Sequence, residues 1–416
     1  MSSGQASSPY PISPLEQHEI PAFFELDAAA FGIRMSQGVR DLLESIMNTQ
    51  RISVSRDGAE LVGSAASDTS LMTVPGLGQV TTAMVAGVSV VPTHRRQGRL
   101  NALMRHQLDE IHSYGEPIAS LYASEGGIYG RYGYGQATFG SAYVLDKRTA
   151  KLARPASEFG DGRVRLITRE QASEVFPAVY AEFVTLRAGE FERSQLEYLG
   201  ALGEPGSEEL SRRWYAVYES SGRIDGYVAY EVEALEPGGR ERGVRVHELC
   251  TLNDASYVFL WQYLLGIDLT TELRAPNRPV DEPIRWLLTN ARELRTERSG
   301  ERTWVRLVDV AAALAARRYP EAGQLVIGVT DDFCPWNTGT YALAVTQEWE
   351  AGEVTATSAP ADIELDVAAL ASMYLGGVPA TSLAAVGRVK AADRAAIAKA
   401  TRMFANEVPP YCLTHF

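Results

Sequence analysis

Two groups in the stretch from Met84 to Thr138 have the residue types and spacing to do chemistry. The first is His94-Arg95-Arg96-Gln97-Gly98, which follows the apolar run Val85 to Val91 and precedes a helical pattern. A strand, a basic turn and a helix in that order leave unpaired backbone N–H groups at the helix start, beside fixed positive charge. A pyrophosphate suits such a place. Gly98 permits close backbone approach, and Arg95 and Arg96 can neutralise phosphate oxygens. The run is neither GxGxxG nor GxxxxGK[ST], so the usual dinucleotide-fold and P-loop readings fail. The competing reading is a solvated basic cap on a surface helix. The second group is Tyr129, in the Gly/Tyr-rich loop from Ser124 to Gly135. A phenol with a pKa near about 10 can donate a proton. Its alternative is a packing tyrosine among Tyr122, Tyr132 and Tyr134.

The elements around these residues follow from periodicity. Leu100, Leu103, Met104, Leu108 and Ile111 recur at helical spacing, so a helix starts at Gly98 and stops at Gly115. Val85 to Val91 is apolar on both faces, which suits a central strand covered on both sides. Pro92 ends its ladder. Ile118 to Ala123 is the next buried strand. Upstream, helices are expected within Leu15 to Phe31 and from Gln37 to Met47. A hairpin turns at Asp57-Gly58, with strands Ile52 to Arg56 and Leu61 to Ala66, and a further strand lies near Leu71 to Val74. A polar, Gly-containing stretch near Thr149 to Gly162 precedes a second module with the same grammar. That module lacks an RxxGxG-like turn before its last helix and reads as a duplicate that lost its cofactor loop. A third segment starts near Trp304. The expected division is a mobile arm at 1–14, then domains at 15–155, 156–303 and 304–416. The chain ends on an apolar run closing with His415 and Phe416, with no polar tail.

Bulk properties bound the function. A chain of 416 residues with 45% hydrophobic and 22% charged residues is globular and long enough for two or three domains. The net charge of −13 argues against a general nucleic-acid or acidic-membrane binder and is compatible with a cationic substrate or simply with solubility. Cys250, Cys334 and Cys412 are scattered without CxxC spacing, and the six histidines form no HExxH, so neither a disulfide framework nor a metal site is expected. The N-terminus has neither the basic nor the apolar region of a signal peptide, and no apolar run approaches a membrane span. A cytoplasmic location is expected, and non-classical export stays compatible with it.

The run from Gly87 to Arg99, GVSVVPTHRRQGR, resembles motif A of the GCN5-related N-acetyltransferases, whose [RQ]xxGx[GA] turn holds the acetyl-CoA pyrophosphate. Here it reads Arg95-x-x-Gly98-x-Leu100, with Leu where Gly or Ala is usual. VxPTHRRxG together with ASEGGIYGRYGYG (Ala123 to Gly135) is similar to the Eis (enhanced intracellular survival) family of acetyltransferases, in which Leu fits that position. The resemblance covers the whole chain. It implies an α/β (α+β) fold: two tandem acetyltransferase-like domains, the second degenerate, then a sterol-carrier-like domain. It also implies a homo-hexamer, a dimer of trimers.

For the site, the resemblance implies that Val88, Ser89 and Val90 pair with the pantetheine arm and the thioester. Arg95, Arg96, Gln97, Gly98, Arg99, Leu100 and Asn101 surround the pyrophosphate, and Ser124 and Glu125 border the reactive end. Tyr129 is the general acid for the thiolate, and the α-carboxylate of Phe416 the general base. Phe31, Gly87 and His415 line the acceptor groove. The family's best-known members carry a bulky aromatic at Gly87 and an acid at His415, so both changes widen the pocket or weaken its negative field. Glu25 and Asp27 either border the groove or are solvated helix residues. The implied activity is acetyl transfer from acetyl-CoA to amines of aminoglycoside or polyamine-like substrates, at several positions and on lysine side chains too, with antibiotic resistance as the consequence. No metal is implied. The alternative is a lipid or small-molecule carrier acting through the third domain.

Overall fold

The computed structural model describes residues 10–204 and 212–416. Its first sheet assembles in the order β1 (Ile12–Pro14), β2 (Ile52–Asp57), β3 (Glu60–Thr73), β4 (Gln79–Val90) and β5 (Ile118–Tyr122), followed by the strands Thr303–Leu307 and Gly135–Gln136. Asp57 and Gly58 make the tight β2–β3 turn, with Gly58 at φ +59°. The two strands expected at Leu61–Ala66 and Leu71–Val74 are one, β3, which pairs along β4 from Thr73–Gln79 to Gly63–Val90. Helices α1 (Ile20–Phe31) and α2 (Gln37–Ile46) cover one end of the sheet, and α3 (Arg99–Ser113) follows β4.

Residues 12–14 of the expected mobile arm are a strand instead: Ile12 pairs with Ser55 and Pro14 with Ser53. Its alternating neighbours were hidden from a local reading by the Ser/Pro-rich composition. Residues 1–9 lie outside the described residues.

The expected boundaries at 155 and 303 do not match the sheets. Strand Phe139–Asp146, assigned by sequence to the first domain, lies in the second sheet between Glu272–Pro279 and Leu294–Glu301. Strand Thr303–Leu307 straddles the second boundary and pairs antiparallel with β5, from Thr303–Tyr122 to Leu307–Ile118. All five of its residues are buried. A strand with no exposed face needs cover on both faces, and composition along the chain cannot reveal which elements supply it.

The third segment contributes a five-stranded sheet and the helix Val367–Tyr374, whose eight residues are all buried. That helix lies directly on the first domain. A Cβ placed on Gly135 would stand 2.1 Å from the Ala368 carbonyl oxygen, so only glycine admits the helix there. Met72, Val74 and Met84 of the first domain share one apolar cluster with Ile327, Leu370 and Met373 of the third segment. Burying each such side chain is worth about 1.5–3 kcal/mol, so the first and third segments are fused through a common core.

Candidate active site

Strands β4 and β5 run parallel but pair only at Thr82–Ile118, Ala83–Ala119 and Met84–Ser120. Past Met84 they diverge. A bulge helps to open the fork: Ser64 faces Ser89 and Ala66 faces Ala86, so Gly87 and Val88 together oppose Ala65. Gly87 takes φ +55°, a conformation that favours glycine. The fork opens into a cleft of about 600 Å³ between the strand ends, α1, α2 and the chain terminus. Val88 faces this cleft. Ser89 is buried and turns to Ser64, its hydroxyl oxygen 2.9 Å from that of Ser64. Val90 is buried with Ala65 and Leu103. The side chains of Ser89 and Val90 are therefore turned to other partners and do not line the cleft.

At the end of β4 the basic turn uses its charge unevenly. The Arg95 guanidinium donates to the carbonyls of Val90 and Ala30, both at 3.0 Å, so it braces the turn against α1 rather than reaching outward. Arg99 is 7% exposed, donates to Ser55 Oγ at 3.0 Å and the Arg56 carbonyl at 3.1 Å, and lies under the Tyr10 ring. The Arg95 side chain thus departs from the phosphate-neutralising role expected of it, because nearby carbonyls take its donors, and Arg99 has only its backbone left for the turn. Arg96 (φ +62°) and Asn101 stay exposed, and the Gln97 carbonyl accepts from Tyr10 at 2.6 Å. Gly98, at φ +91°, caps α3 without any side-chain hydrogen bond, which leaves the first-turn N–H groups open. Leu100 is half-buried against Val90 and Leu103, a packing role that a Gly or Ala would not fill.

Ser124 and Glu125 emerge exposed after β5, and Ser124 borders the cleft. Tyr129 opens a single helical turn (Tyr129–Tyr132), is 5% exposed, packs edge-on to Tyr134 at 6.0 Å and lines the cleft. Burial pushes its pKa above the ordinary value, and the neighbouring Ser124 hydroxyl pulls the other way. The phenol is therefore protonated at neutral pH.

The chain terminus reaches the same cleft from the far side, through the second domain. That domain's strands Arg242–Thr251 and Glu272–Pro279 also run parallel for only three pairs, Gly243–Glu272 to Arg245–Arg274, and then fork. Its following helix, Asp254–Leu265, starts after a two-residue turn and is capped by Asn253, which accepts from Ser256 N at 2.9 Å. No open anion turn exists there. The fork is filled by the C-terminal tail. Tyr411 and Leu413 enter the second domain's core beside Tyr227 and Cys250. Asn277 donates to the Leu413 carbonyl at 3.3 Å and accepts from Tyr411 at 2.8 Å. Glu190 accepts the Leu413 N–H at 2.7 Å and the Tyr180 hydroxyl at 3.0 Å, while its own carbonyl accepts from Thr73 N at 2.8 Å. Tyr180 and Arg193 both hold the Thr414 hydroxyl, at 2.7 and 2.9 Å. Tyr122 donates to the Thr414 carbonyl, stacks on His415 at 4.6 Å and meets the Phe416 ring edge-on at 5.3 Å. His415 and Phe416 thereby line the cleft that holds Tyr129.

Burial pushes the Glu190 carboxyl up to about 7, helped by Glu248 and opposed by Arg193 and its two donors. The folded state thus keeps this proton to higher pH than the unfolded chain. Its stabilisation is full below the ordinary carboxyl value of 4.5 and is lost as pH rises through about 7. The thermal midpoint should fall over that window, and Glu190→Gln, neutral throughout, should fall less. Parallel slopes by scanning calorimetry would remove Glu190 from this role.

The acceptor side of the cleft carries Asp27 and Phe31 from α1, Asp68 from β3 and Glu197 from the second domain. Glu25 points away and pairs with Arg34 and Arg40 on the surface. Asp27 has no ion-pair or hydrogen-bond partner among the described residues, and burial pushes its pKa up. Burial and Arg302 hold the His415 imidazole below its ordinary value, so it is neutral at pH 7. The local reading expected α2 as a helix but did not assign it, Tyr122, Glu190 or Arg193 to the site. The amphipathic spacing of α2 was visible, but not that its apolar face borders a cavity.

Comparisons with known proteins agree with this architecture. Residues 11–137 and 189–307 each match an acetyltransferase (GNAT) domain family, and residues 310–413 match a sterol carrier protein domain. An uncharacterized N-acetyltransferase of Streptomyces coelicolor is 40% identical over 361 residues, 86% of each chain. The N-acetyltransferase Eis of Mycobacterium tuberculosis is 33% identical over 410 residues, covering 95% of this chain and 97% of that one. Among solved structures, Eis1 from Mycobacterium abscessus superposes with a TM-score of 0.84 at 32% identity, over 98% of this chain and 100% of the other. A GCN5-related N-acetyltransferase from Anabaena variabilis, at 22% identity and a TM-score of 0.85, shares the fold.

Proposed function

The chain belongs to the Eis family of GCN5-related N-acetyltransferases, and we propose that it moves the acetyl group of acetyl-CoA to the nitrogen of a small cationic amine, with Tyr129 as general acid and the Phe416 carboxylate as general base. One observation carries this reading: the nearly buried Tyr129 and the chain's last residue, Phe416, line one cleft at the fork of β4 and β5.

The residues divide the work. The open N–H groups at Gly98 to Asn101 suit a pyrophosphate, with Arg96 as the outward cation. The unpaired edge of β4 beyond Met84 offers amides to the pantetheine arm and to the oxyanion that forms on attack. Phe416 takes a proton from the acceptor nitrogen, directly or through water, as the N–C bond forms. Tyr129 gives its proton to sulfur as the C–S bond breaks. Its raised pKa makes transfer to an ordinary thiolate uphill unless the same burial raises the thiol's own pKa as well. Acidic groups on the acceptor side, with Asp27 unpaired, favour an ammonium over a neutral or anionic partner. Aminoglycosides, polyamines and lysine side chains all present such groups, and acetylation at several positions and assembly as a hexamer belong to the same proposal.

Thiol release with acetyl-CoA and a panel of amines, beside an isothermal titration of acetyl-CoA, tests it. Saturable binding and amine-dependent thiol release are expected. Absence of acetyl-CoA binding would sink the reading.

A further inference from the structure

Tyr10 lies across the basic turn and has no part in the chemistry described above. Its hydroxyl donates to the Gln97 carbonyl at 2.6 Å, and its half-buried ring covers the Arg99 guanidinium, 4.4 Å from the ring centre. One side chain thus holds the residues on either side of Gly98. Strand β1 puts it there. Ile12 pairs with Ser55, Arg56 donates to Ser13 Oγ at 2.5 Å, and Arg99 is tied to the same Ser55 and to the Arg56 carbonyl. Gly98 passes close beneath the ring, since a Cβ placed on it would stand 3.7 Å from Tyr10 Cε2.

The turn needs such a hold. Arg96 at φ +62° and Gly98 at φ +91° are both left-handed, and a residue with a side chain keeps that backbone only where surrounding contacts impose it. Arg95 supplies contacts on the α1 side, to the carbonyls of Val90 and Ala30. Tyr10 supplies the contact on the β1 side. In a trans peptide the carbonyl and the following N–H point in opposite directions. With its carbonyl drawn to Tyr10, the Gln97–Gly98 peptide must turn the Gly98 N–H away from the phenol. Accepting a hydrogen bond also polarises that peptide and makes its N–H a stronger donor. We propose that Tyr10 is a positioning residue for acetyl-CoA, a strap that fixes the Gln97–Gly98 peptide so that its N–H is presented to the pyrophosphate. The inference rests on the acetyltransferase reading above and adds to its site a residue that lies outside the turn itself.

The test compares wild type with Tyr10→Phe, which keeps a ring over Arg99 and removes only the hydroxyl. Two acetyl donors are used: acetyl-CoA, and S-acetylpantetheine, which has the thioester arm without the pyrophosphate. Titration calorimetry should give an acetyl-CoA Kd about 3–10-fold higher in the variant, the worth of one hydrogen bond. The kcat at saturating acetyl-CoA should not change. With S-acetylpantetheine and the fastest amine of the panel, kcat/KM for thiol release should be the same in both proteins. An unchanged acetyl-CoA Kd overturns the role of Tyr10. So does an equal fall in kcat/KM with both donors, because a merely loosened fold would not distinguish them. If acetyl-CoA binds but no amine releases thiol, acetyl transfer is overturned and the Kd difference alone decides for or against Tyr10. A wild type that binds no acetyl-CoA overturns both readings.

Discussion

Adding one glycine after Phe416 should lower kcat by about 10²–10⁴-fold, the range a positioned general base supplies, with acetyl-CoA affinity and thermal midpoint nearly unchanged. The reason lies in how the tail is held. Tyr411, Leu413 and Thr414 are fixed by Asn277, Glu190, Tyr180 and Arg193, so the chain cannot slide back to make room. An added residue turns the Phe416 carboxylate into a neutral amide carbonyl at the same place. It also moves the negative charge outward by as much as about 3.5 Å. Proton acceptance from the amine is then lost while the tail stays docked. Calorimetry and acetyl-CoA titration on the same variant separate this from unfolding. An unchanged kcat in a folded variant would remove the terminal carboxylate from the mechanism.

The second large effect is expected from Tyr129→Phe, a fall in kcat of about 10²-fold or more. The phenylalanine keeps the edge-on packing with Tyr134 and the fit in the cluster with Met104 and Leu121, so the fold should be unaffected. What disappears is the proton for the departing sulfur. The deficit should therefore depend on the leaving group. With a thioester of an aromatic thiol, which departs readily as the anion, the variant should recover most of its rate relative to wild type. A deficit of equal size with both thioesters would mean that Tyr129 shapes the cleft rather than protonating sulfur.

Much of this machinery could be read without coordinates. The doubly apolar run before Pro92 is β4, the three-and-four spacing from Leu100 is α3, and Gly98 stands between them at a positive φ. These are local properties, set by neighbours along the chain. Side-chain direction in the turn was not local. Arg95 looked equivalent to Arg96 as a charge, yet the carbonyls of Val90 and Ala30 claim it. The periodicity of α2 showed which face is apolar, but a core and a cavity demand the same pattern.

Sequence by itself, through motif A, the tyrosine loop and the aromatic terminus, determined the fold family and the two groups offered as acid and base. Tertiary structure alone decided how those groups meet. The second domain, without an open anion turn, presents the same fork as the first, and the tail fills it and is carried to the cleft. Strand Thr303–Leu307 closes the first sheet from a distance of some 180 residues along the chain, as its pairing with β5 requires. Pairing of this kind depends on shape and on unsatisfied backbone edges brought together in space, and a pattern read along one segment contains no record of which distant edge it will meet.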